Sequence, residues 1–158
     1  MSQEMDDLYV KQIQDKFEMC MVGELSYFLG FQTKKINEEI FTFQSKYAKN
    51  LMNKYGLESA CAKRTPTPTH VKMSKDSRRT NVDKSLNRSI IEGLLNLTAS
   101  RPDIASAIGV CVRYQSCPKN NHLLSAKRII KYINSTSEYG LLYTLDTSSS
   151  LVAYYDVD

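Results

Sequence analysis

The sequence predicts an α+β fold: a short antiparallel β-hairpin with flanking helices, then a helical subdomain, then a C-terminal fragment of two strands. Aromatic and β-branched residues are concentrated in two short runs between residues 27 and 43, which is typical of paired strands. Apolar residues recur at helical spacing between residues 86 and 134. Two further strand-like runs follow before the end of the sequence.

Length and composition favour a soluble globular protein. The chain has 158 residues, 42% of them hydrophobic and 24% charged, enough for one core or two small ones. Its apolar runs are much shorter than the ~20 residues of a membrane-spanning helix, so we expect no membrane partner. The acidic N-terminus differs from a signal or transit peptide, which makes a cytoplasmic or nuclear location the default expectation.

Residues 1–57 predict two helices on either side of a hairpin. Residues 3–17 have the apolar spacing of an amphipathic helix. A strand-like run at 18–22 follows, and a second helix is predicted at 45–55 with Gly56 as its C-cap.

The hairpin itself is predicted from strands at residues 27–36 and 40–43. A short polar turn separates the two runs. Gly30 lies inside the first run, where a glycine suggests a bulge or a close approach of another backbone.

Residues 58–84 have little apolar pattern and contain a Thr-Pro-Thr-Pro-Thr run at 65–69. We expect an extended connection that crosses a surface between two subdomains.

A helix–elbow–helix pattern occupies residues 86–117, with the elbow at residues 100–103. Pro102 cannot continue the first helix but fits the first turn of the second. Asp103 then places a negative charge at the positive end of that second helix. A third helix is predicted at 119–134, and strands are predicted at 140–145 and 151–156.

The sequence contains none of the common catalytic or nucleotide-binding motifs. It contains no GxGxxG, P-loop, GxSxG or HExxH pattern, and its four cysteines and two histidines lack the spacing of a zinc site. Asp6 and Asp7 are adjacent on a predicted helix and point about 100° apart, so we interpret them as capping residues. We expect no metal site and no small-molecule ligand.

The charge is distributed unevenly along the chain. Residues 43–132 hold 17 Lys/Arg and 5 Asp/Glu, a net charge of +12, whereas the segments before and after them each have a net charge of −4. A basic middle between acidic ends is a candidate surface for a polyanion. The alternative, lysines that only keep the surface solvated, is equally compatible with composition.

Several runs resemble the reverse transcriptase region of copia-type retrotransposon polyproteins, in order and spacing from about residue 8 onward. The runs are Phe17-Glu18-Met19, Val22-Gly23-Glu24-Leu25-Ser26-Tyr27-Phe28-Leu29-Gly30, Phe43-Gln44-Ser45-Lys46-Tyr47, Arg64-Thr65-Pro66, Leu94-Leu95, Leu97-Thr98-Ala99-Ser100-Arg101-Pro102-Asp103-Ile104, His122 with Ala126-Lys127-Arg128-Ile129, and Tyr154 with Asp156 and Asp158.

The resemblance implies a place within the polymerase for each part of the chain. Residues 1–57 would be a remnant of the palm, and residues 58–84 the extended connection. Residues 85–134 would be a thumb-like helical subdomain that holds the template–primer duplex. Residues 135–158 would be the truncated start of a ribonuclease H domain.

The resemblance also implies that catalytic carboxylates are missing. The family's Tyr-Val-Asp-Asp motif lies further upstream of the Phe-Glu-Met run than the 16 residues that precede Phe17 here. Asp156 matches a metal-binding aspartate of ribonuclease H, but its partner carboxylates would follow Asp158. The family uses Mg²⁺ at such sites; we expect neither a catalytic residue nor a cofactor in this chain.

Four positions depart from the family pattern. The family usually has aromatic residues where this chain has Asn87, Asn96 and Leu123, and a glycine where it has Glu92. We expect Glu92 to be costly if it lies in a tight helix contact, and the lost aromatics to weaken the packing.

The leading hypothesis is a reverse transcriptase remnant that retains, at most, weak binding to an RNA–DNA hybrid or a DNA duplex. Its expected phosphate contacts are Arg88, Arg101, Arg113, Lys119, Lys127, Arg128 and Lys131. Each of these could instead be a surface solubiliser, and Arg101 could pair with Asp103 or cap a helix end. Two other functions stay open: a fragment of an active polymerase that is completed by other sequence, and a co-opted, non-enzymatic interaction protein.

Overall fold

The computed structural model describes residues 3–18, 26–37, 39–68 and 80–144. Within these ranges the predicted α+β class is confirmed, with five α-helices, one short 3-10 helix and four strands. The helices are α1 (Gln3–Gln14), α2 (Ser45–Lys54), α3 (Lys84–Leu97), α4 (Ala105–Val112) and α5 (Asn120–Ser135). The strands are β1 (Tyr27–Phe28), β2 (Phe31–Ile36), β3 (Glu39–Phe43) and β4 (Gly140–Tyr143).

The strands form one antiparallel sheet in the order β1-β2-β3-β4. The predicted hairpin is its centre, since β2 pairs with β3 from Gln32 opposite Phe43 to Ile36 opposite Glu39. Asn37, in the turn, has a positive φ of 58°, a conformation that asparagine tolerates better than most residues.

The prediction of one continuous strand at residues 27–36 is wrong. Phe28 pairs with Phe31, and the two residues between them form a tight turn. Leu29 and Gly30 both have positive φ, 50° and 87°, as in the two-residue hairpin turns that match the twist of their strands. Aromatic residues on both sides of Gly30 favour a strand whichever way the chain runs, so composition did not reveal the reversal.

The strand predicted at residues 140–145 is present as β4, but its partner was not predicted. β4 pairs with β3, with Gly140 opposite Phe43 and Tyr143 opposite Ile40. The predicted strand at 151–156 lies outside the described residues, and so does all but the first residue of the strand predicted at 18–22.

The main hydrophobic core lies between α2, α3, α4 and α5. The apolar stripes predicted for the last three helices are largely buried, as expected from their helical spacing, but Leu95, predicted on the buried face of α3, is 45% exposed. Helix α2 contributes to the same core, which the sequence did not indicate. The fully or almost fully buried apolar residues are Ala48, Leu51, Met52, Ile90, Ile91, Leu94, Leu97, Ile104, Ala107, Ile108, Cys111, Ala126, Ile129, Ile130 and Ile133.

The predicted elbow is confirmed. Pro102 begins a 3-10 helix, Pro102–Ile104, which leads directly into α4. A proline is tolerated there because the first residues of a helix have no acceptor for their N–H groups.

The connection after α2 runs along α5. Residues 58–68 contain no helix or strand, as predicted, and residues 69–79 lie outside the described part of the chain. The backbone N–H of Lys63 donates to the carbonyl of Lys131 at 3.1 Å, and the Asn134 amide donates to the carbonyl of Glu58 at 3.2 Å. These bonds attach the connection to the last turns of α5.

Two of the four family departures pack differently from the expectation. Glu92 is exposed, so it does not crowd a helix contact; the close contact is at Gly93, where an added Cβ would lie 2.5 Å from Leu51 Cδ1. Asn96 is also exposed, and its amide donates to the Tyr47 hydroxyl at 3.2 Å. Asn87 is buried, and both polar atoms of its side chain lack a hydrogen-bond partner. Leu123 is half-buried against the core.

None of the described helices is both long and apolar enough to cross a lipid bilayer.

Candidate nucleic-acid interface

A basic stretch without acidic residues runs through α4, the turn after it and α5. Residues 104–137 contain five Lys/Arg and no Asp/Glu. Helix α5 directs its apolar stripe into the core, so its three basic residues lie toward the surface; α4 itself has no Lys or Arg, and Arg113 follows its end. A surface of one sign without interspersed carboxylates attracts polyanions.

Helix α5 carries three of the predicted phosphate contacts. Lys127 and Lys131 are four residues apart and therefore lie on the same side of the helix. Both are partly exposed, since the buried stripe Ala126, Ile129 and Ile130 points the other way. A partly buried stem with an exposed ammonium group is the usual arrangement for lysine beside an apolar core.

Arg128 is also partly exposed and is bound to the connection. Its Nε donates to the Thr65 carbonyl at 3.2 Å and its Nη2 donates to Thr65 Oγ1 at 3.1 Å. These bonds hold the guanidinium in one orientation at the surface, beside residues 63–68, which form neither helix nor strand.

Arg113 is exposed just after α4. It lines a groove of about 410 Å³ between α4, α5 and the Pro66–Pro68 segment, together with Ala107, Val110, Cys111, Tyr114, Ser125 and Ile129. Burial raises the pKa of the Cys111 thiol to about 11, so this cysteine lines the groove as an uncharged thiol.

The other two surface candidates lie at helix beginnings. Lys119 immediately precedes α5; its Nζ donates to Asn81 Oδ1 at 2.7 Å, and its backbone N–H donates to His122 Nδ1 at 3.0 Å. Arg88 is exposed in the second turn of α3, whose N-terminus is capped by Asp83.

Arg101 is separate from this surface, because only 3% of its side chain is exposed. Its Nε and Nη2 form a bidentate pair with Asp103 at 2.9 and 2.8 Å. Its Nη1 and Nη2 donate to the carbonyl and the hydroxyl of Thr136, the C-cap of α5, at 2.7 and 2.8 Å. The guanidinium also lies 5.7 Å from the Tyr132 ring and 5.3 Å from the Tyr139 ring. Both structural alternatives considered for Arg101, pairing with Asp103 and capping a helix end, are therefore present.

The hydrogen bonds from Arg101 lower the pKa of the Asp103 carboxyl, and burial opposes this shift. The Tyr132 hydroxyl donates a further bond to Asp103 at 2.9 Å. Asp103 is consequently an ionised structural partner of Arg101, whose charge is balanced within the elbow.

Sequence reasoning did not identify the contact between Thr65 and Arg128 or the two rings beside Arg101. Both contacts join residues more than 30 positions apart, which leaves no local pattern. Asp156 lies outside the described residues. Within the described ranges, no group of three or more His, Cys, Asp or Glu comes together that could hold a metal ion.

Homologues of this chain over nearly its whole length are retrovirus-related Pol polyproteins of copia-type transposons, which confirms the resemblance. The Pol polyprotein from transposon RE1 of Arabidopsis thaliana is 30% identical over 146 residues, 92% of this chain. The one from transposon RE2 of the same plant is 27% identical over 146 residues, again 92% of the chain. The uncharacterized mitochondrial protein AtMg00810 of A. thaliana is 29% identical over 152 residues, 96% of the chain.

The chain spans 10% of each of these two polyproteins and 63% of AtMg00810. The chain is thus similar to one segment of each of these longer polyproteins. No family model matches the sequence, and no solved structure matches it.

Proposed function

We propose that this chain is the end of a copia-type reverse transcriptase, without polymerase or ribonuclease H activity of its own, and that it binds nucleic-acid duplex weakly. In this proposal α3–α5 are the thumb-like part, residues 1–57 a palm remnant and β4 the first strand of the ribonuclease H region. An RNA–DNA hybrid or a DNA duplex is the partner.

One observation carries the proposal: residues 104–137 are basic and acid-free, and they form a folded surface on helices whose other faces are buried. Of the acidic residues in α3–α5 and their elbow, Asp103 is neutralised by Arg101, which leaves Glu92 as the exposed carboxylate. Lysine and arginine on such a surface bind phosphates through charge, with little dependence on base sequence.

The test is a fluorescence-anisotropy titration of a labelled RNA–DNA hybrid at several salt concentrations. Lys127→Gln/Lys131→Gln should weaken binding and reduce the slope of log K against log salt by about 1 for each lysine removed. The matched control, Lys11→Gln/Lys16→Gln, removes the same charge from the exposed end of α1 and the turn after it. It should leave the slope unchanged. Absence of binding at low salt, or binding that salt does not weaken, would refute the proposal.

The sheet favours a second function, a fragment that is completed by neighbouring polypeptide. Ile40 of β3 lies directly opposite Tyr143 of β4, so both side chains are on the same face of the sheet, yet their exposed fractions are 49% and 58%. Neighbouring polypeptide that covers this face would bury the exposed pair. An open reading frame with a Tyr-Val-Asp-Asp motif directly upstream in the genome would favour this function, and stop codons there would exclude it.

A further inference from the structure

We propose that Thr65 is a phosphorylation site for a proline-directed protein kinase, and that Arg128 receives the phosphate. The modification would withdraw Arg128 from the basic surface, and this regulatory effect rests on the proposed nucleic-acid binding. The phosphate–arginine contact itself does not depend on that binding.

The acceptor is placed where a kinase can reach it. Thr65 is exposed and lies in residues 58–68, which contain no helix or strand. Pro66 follows it, and the backbone bends at residues 64–67. An exposed Thr-Pro pair outside helix and strand matches the sequence requirement of proline-directed kinases. Thr65 Oγ1 donates to the Thr67 carbonyl at 2.8 Å, a local bond that the kinase must break.

The receiving group is already in contact with the acceptor oxygen. Arg128 Nη2 donates to Thr65 Oγ1 at 3.1 Å, and Arg128 Nε donates to the Thr65 carbonyl at 3.2 Å. A phosphate on Oγ1 therefore appears beside a guanidinium that needs little rearrangement to bind it bidentately. Such pairs between a phosphorylated residue and an arginine order the segment that carries them.

The surroundings favour the added charge. The Lys63 N–H bonds to the Lys131 carbonyl, which holds the connection against the basic helix two residues before Thr65. Residues 104–137 carry no Asp or Glu, and the exposed Arg64 is adjacent in sequence. A phosphate brings about −1.5 to −2 charges and meets no carboxylate from α5.

The transfer uses ATP as the phosphoryl donor. Thr65 Oγ1 bonds to the γ-phosphorus while the bond from that phosphorus to the β–γ bridging oxygen breaks, and ADP leaves. The hydroxyl proton passes to the catalytic aspartate of the kinase. Nothing is oxidised or reduced.

The experiment treats the full chain with a purified mitogen-activated protein kinase and ATP, and locates phosphate by mass spectrometry. Phosphate is expected on Thr65, and in Thr65→Val the phosphate at this position should be absent whether or not Thr67 is modified. Thermal melting without nucleic acid should then show a higher Tm for the phosphorylated chain, by a few degrees, and this rise should be absent in Arg128→Gln. Thr67 precedes Pro68 in the same pattern and is also exposed, so Thr67→Val is the matched control and should retain the rise.

The hybrid-binding titration supplies the second readout. Phosphorylation of Thr65 should weaken binding about threefold to tenfold and reduce the salt slope by about 1. A chain that does not bind the hybrid refutes the proposed function and leaves the Arg128-dependent Tm rise as the test of the site. Lack of phosphate on Thr65, or a Tm rise that persists in Arg128→Gln, overturns the phosphorylation proposal.

Discussion

The buried guanidinium of Arg101 joins three parts of the fold. It binds Asp103 in the elbow and Thr136 at the end of α5, and it contacts the ring of Tyr139 just before β4. Because it donates four hydrogen bonds within these contacts, its loss would leave several partners without a donor.

Arg101→Met should therefore lower the free energy of unfolding by about 2–3 kcal/mol. Methionine keeps most of the buried volume but donates no hydrogen bond. The measurement is urea denaturation followed by circular dichroism. Arg113→Met is the matched control, because Arg113 is exposed, and should change stability by less than about 0.5 kcal/mol. Equal effects of the two substitutions would contradict the structural role of Arg101.

Asn87 shows the opposite case, a polar side chain buried without a partner. Its side-chain oxygen and nitrogen both lack hydrogen bonds, and 1% of the residue is exposed. Asn87→Leu should raise the free energy of unfolding by about 1–2 kcal/mol, since the amide no longer has to be desolvated.

The matched control is Asn96→Leu, a substitution in the same helix at an exposed position. Both variants gain the same helix propensity, but Asn96→Leu also loses the exposed bond to the Tyr47 hydroxyl, worth about 0.5–1 kcal/mol, so a difference larger than that measures the buried amide. If Asn96→Leu stabilises the protein as much as Asn87→Leu, the amide of Asn87 is not the cause.

At the scale of the elements, Gly140 allows β4 to approach β3. A Cβ at this position would lie 2.3 Å from the Thr42 carbonyl oxygen and 2.8 Å from Phe43 Cβ. The first of these atoms belongs to the backbone of the neighbouring strand, which cannot move without breaking its pairing.

Gly140→Ala should consequently destabilise the protein by about 1–3 kcal/mol, as measured by thermal and urea unfolding. Gly109→Ala is its control: Gly109 lies within α4, and an added Cβ there meets nothing within 4 Å. That variant should be stabilised by about 0.5–1 kcal/mol, because alanine is the better helix former. A neutral Gly140→Ala would indicate that β4 does not pair with β3 as described.

The elements also show how far local sequence determines structure here. The helix–elbow–helix pattern was predictable because each apolar stripe and the Pro102–Asp103 corner act within a few residues. The turn at Leu29–Gly30 was not predicted. It needs a positive φ at both residues, and the aromatic residues on either side favour a strand. In the candidate site, the lysines of α5 were predictable because helical spacing places them on one side of that helix. The burial of Arg101 was not predictable, because it depends on Thr136 and Tyr139, far away in sequence.

At the scale of the whole molecule, α2 packs into the same core as α3–α5. Leu51 is 5% exposed and meets α3 at Gly93, and the Tyr47 hydroxyl donates to the Gly93 carbonyl at 3.1 Å. A shared core of this kind should unfold as one cooperative unit.

Leu51→Ala should then lower the free energy of unfolding by about 2–4 kcal/mol and move the whole unfolding transition to a lower midpoint. Within each protein, the unmodified chain and Leu51→Ala, circular dichroism and tyrosine fluorescence should report the same midpoint. Leu8→Ala, on α1 where the side chain is 63% exposed, should leave the midpoint unchanged. Two separate midpoints would show that α2 and the later helices are independent.

Local sequence by itself determined the helices α1–α5, the central hairpin, the elbow at Pro102 and the basic, acid-free segment at residues 104–137. These features depend on side-chain periodicity, proline geometry and charge, which act over a few residues. Tertiary structure alone decided that β4 joins β3, that α2 shares the helical core, and that Arg128 meets Thr65. Those contacts join distant positions, and they form only because burial of apolar surface offsets the entropy of closing long loops.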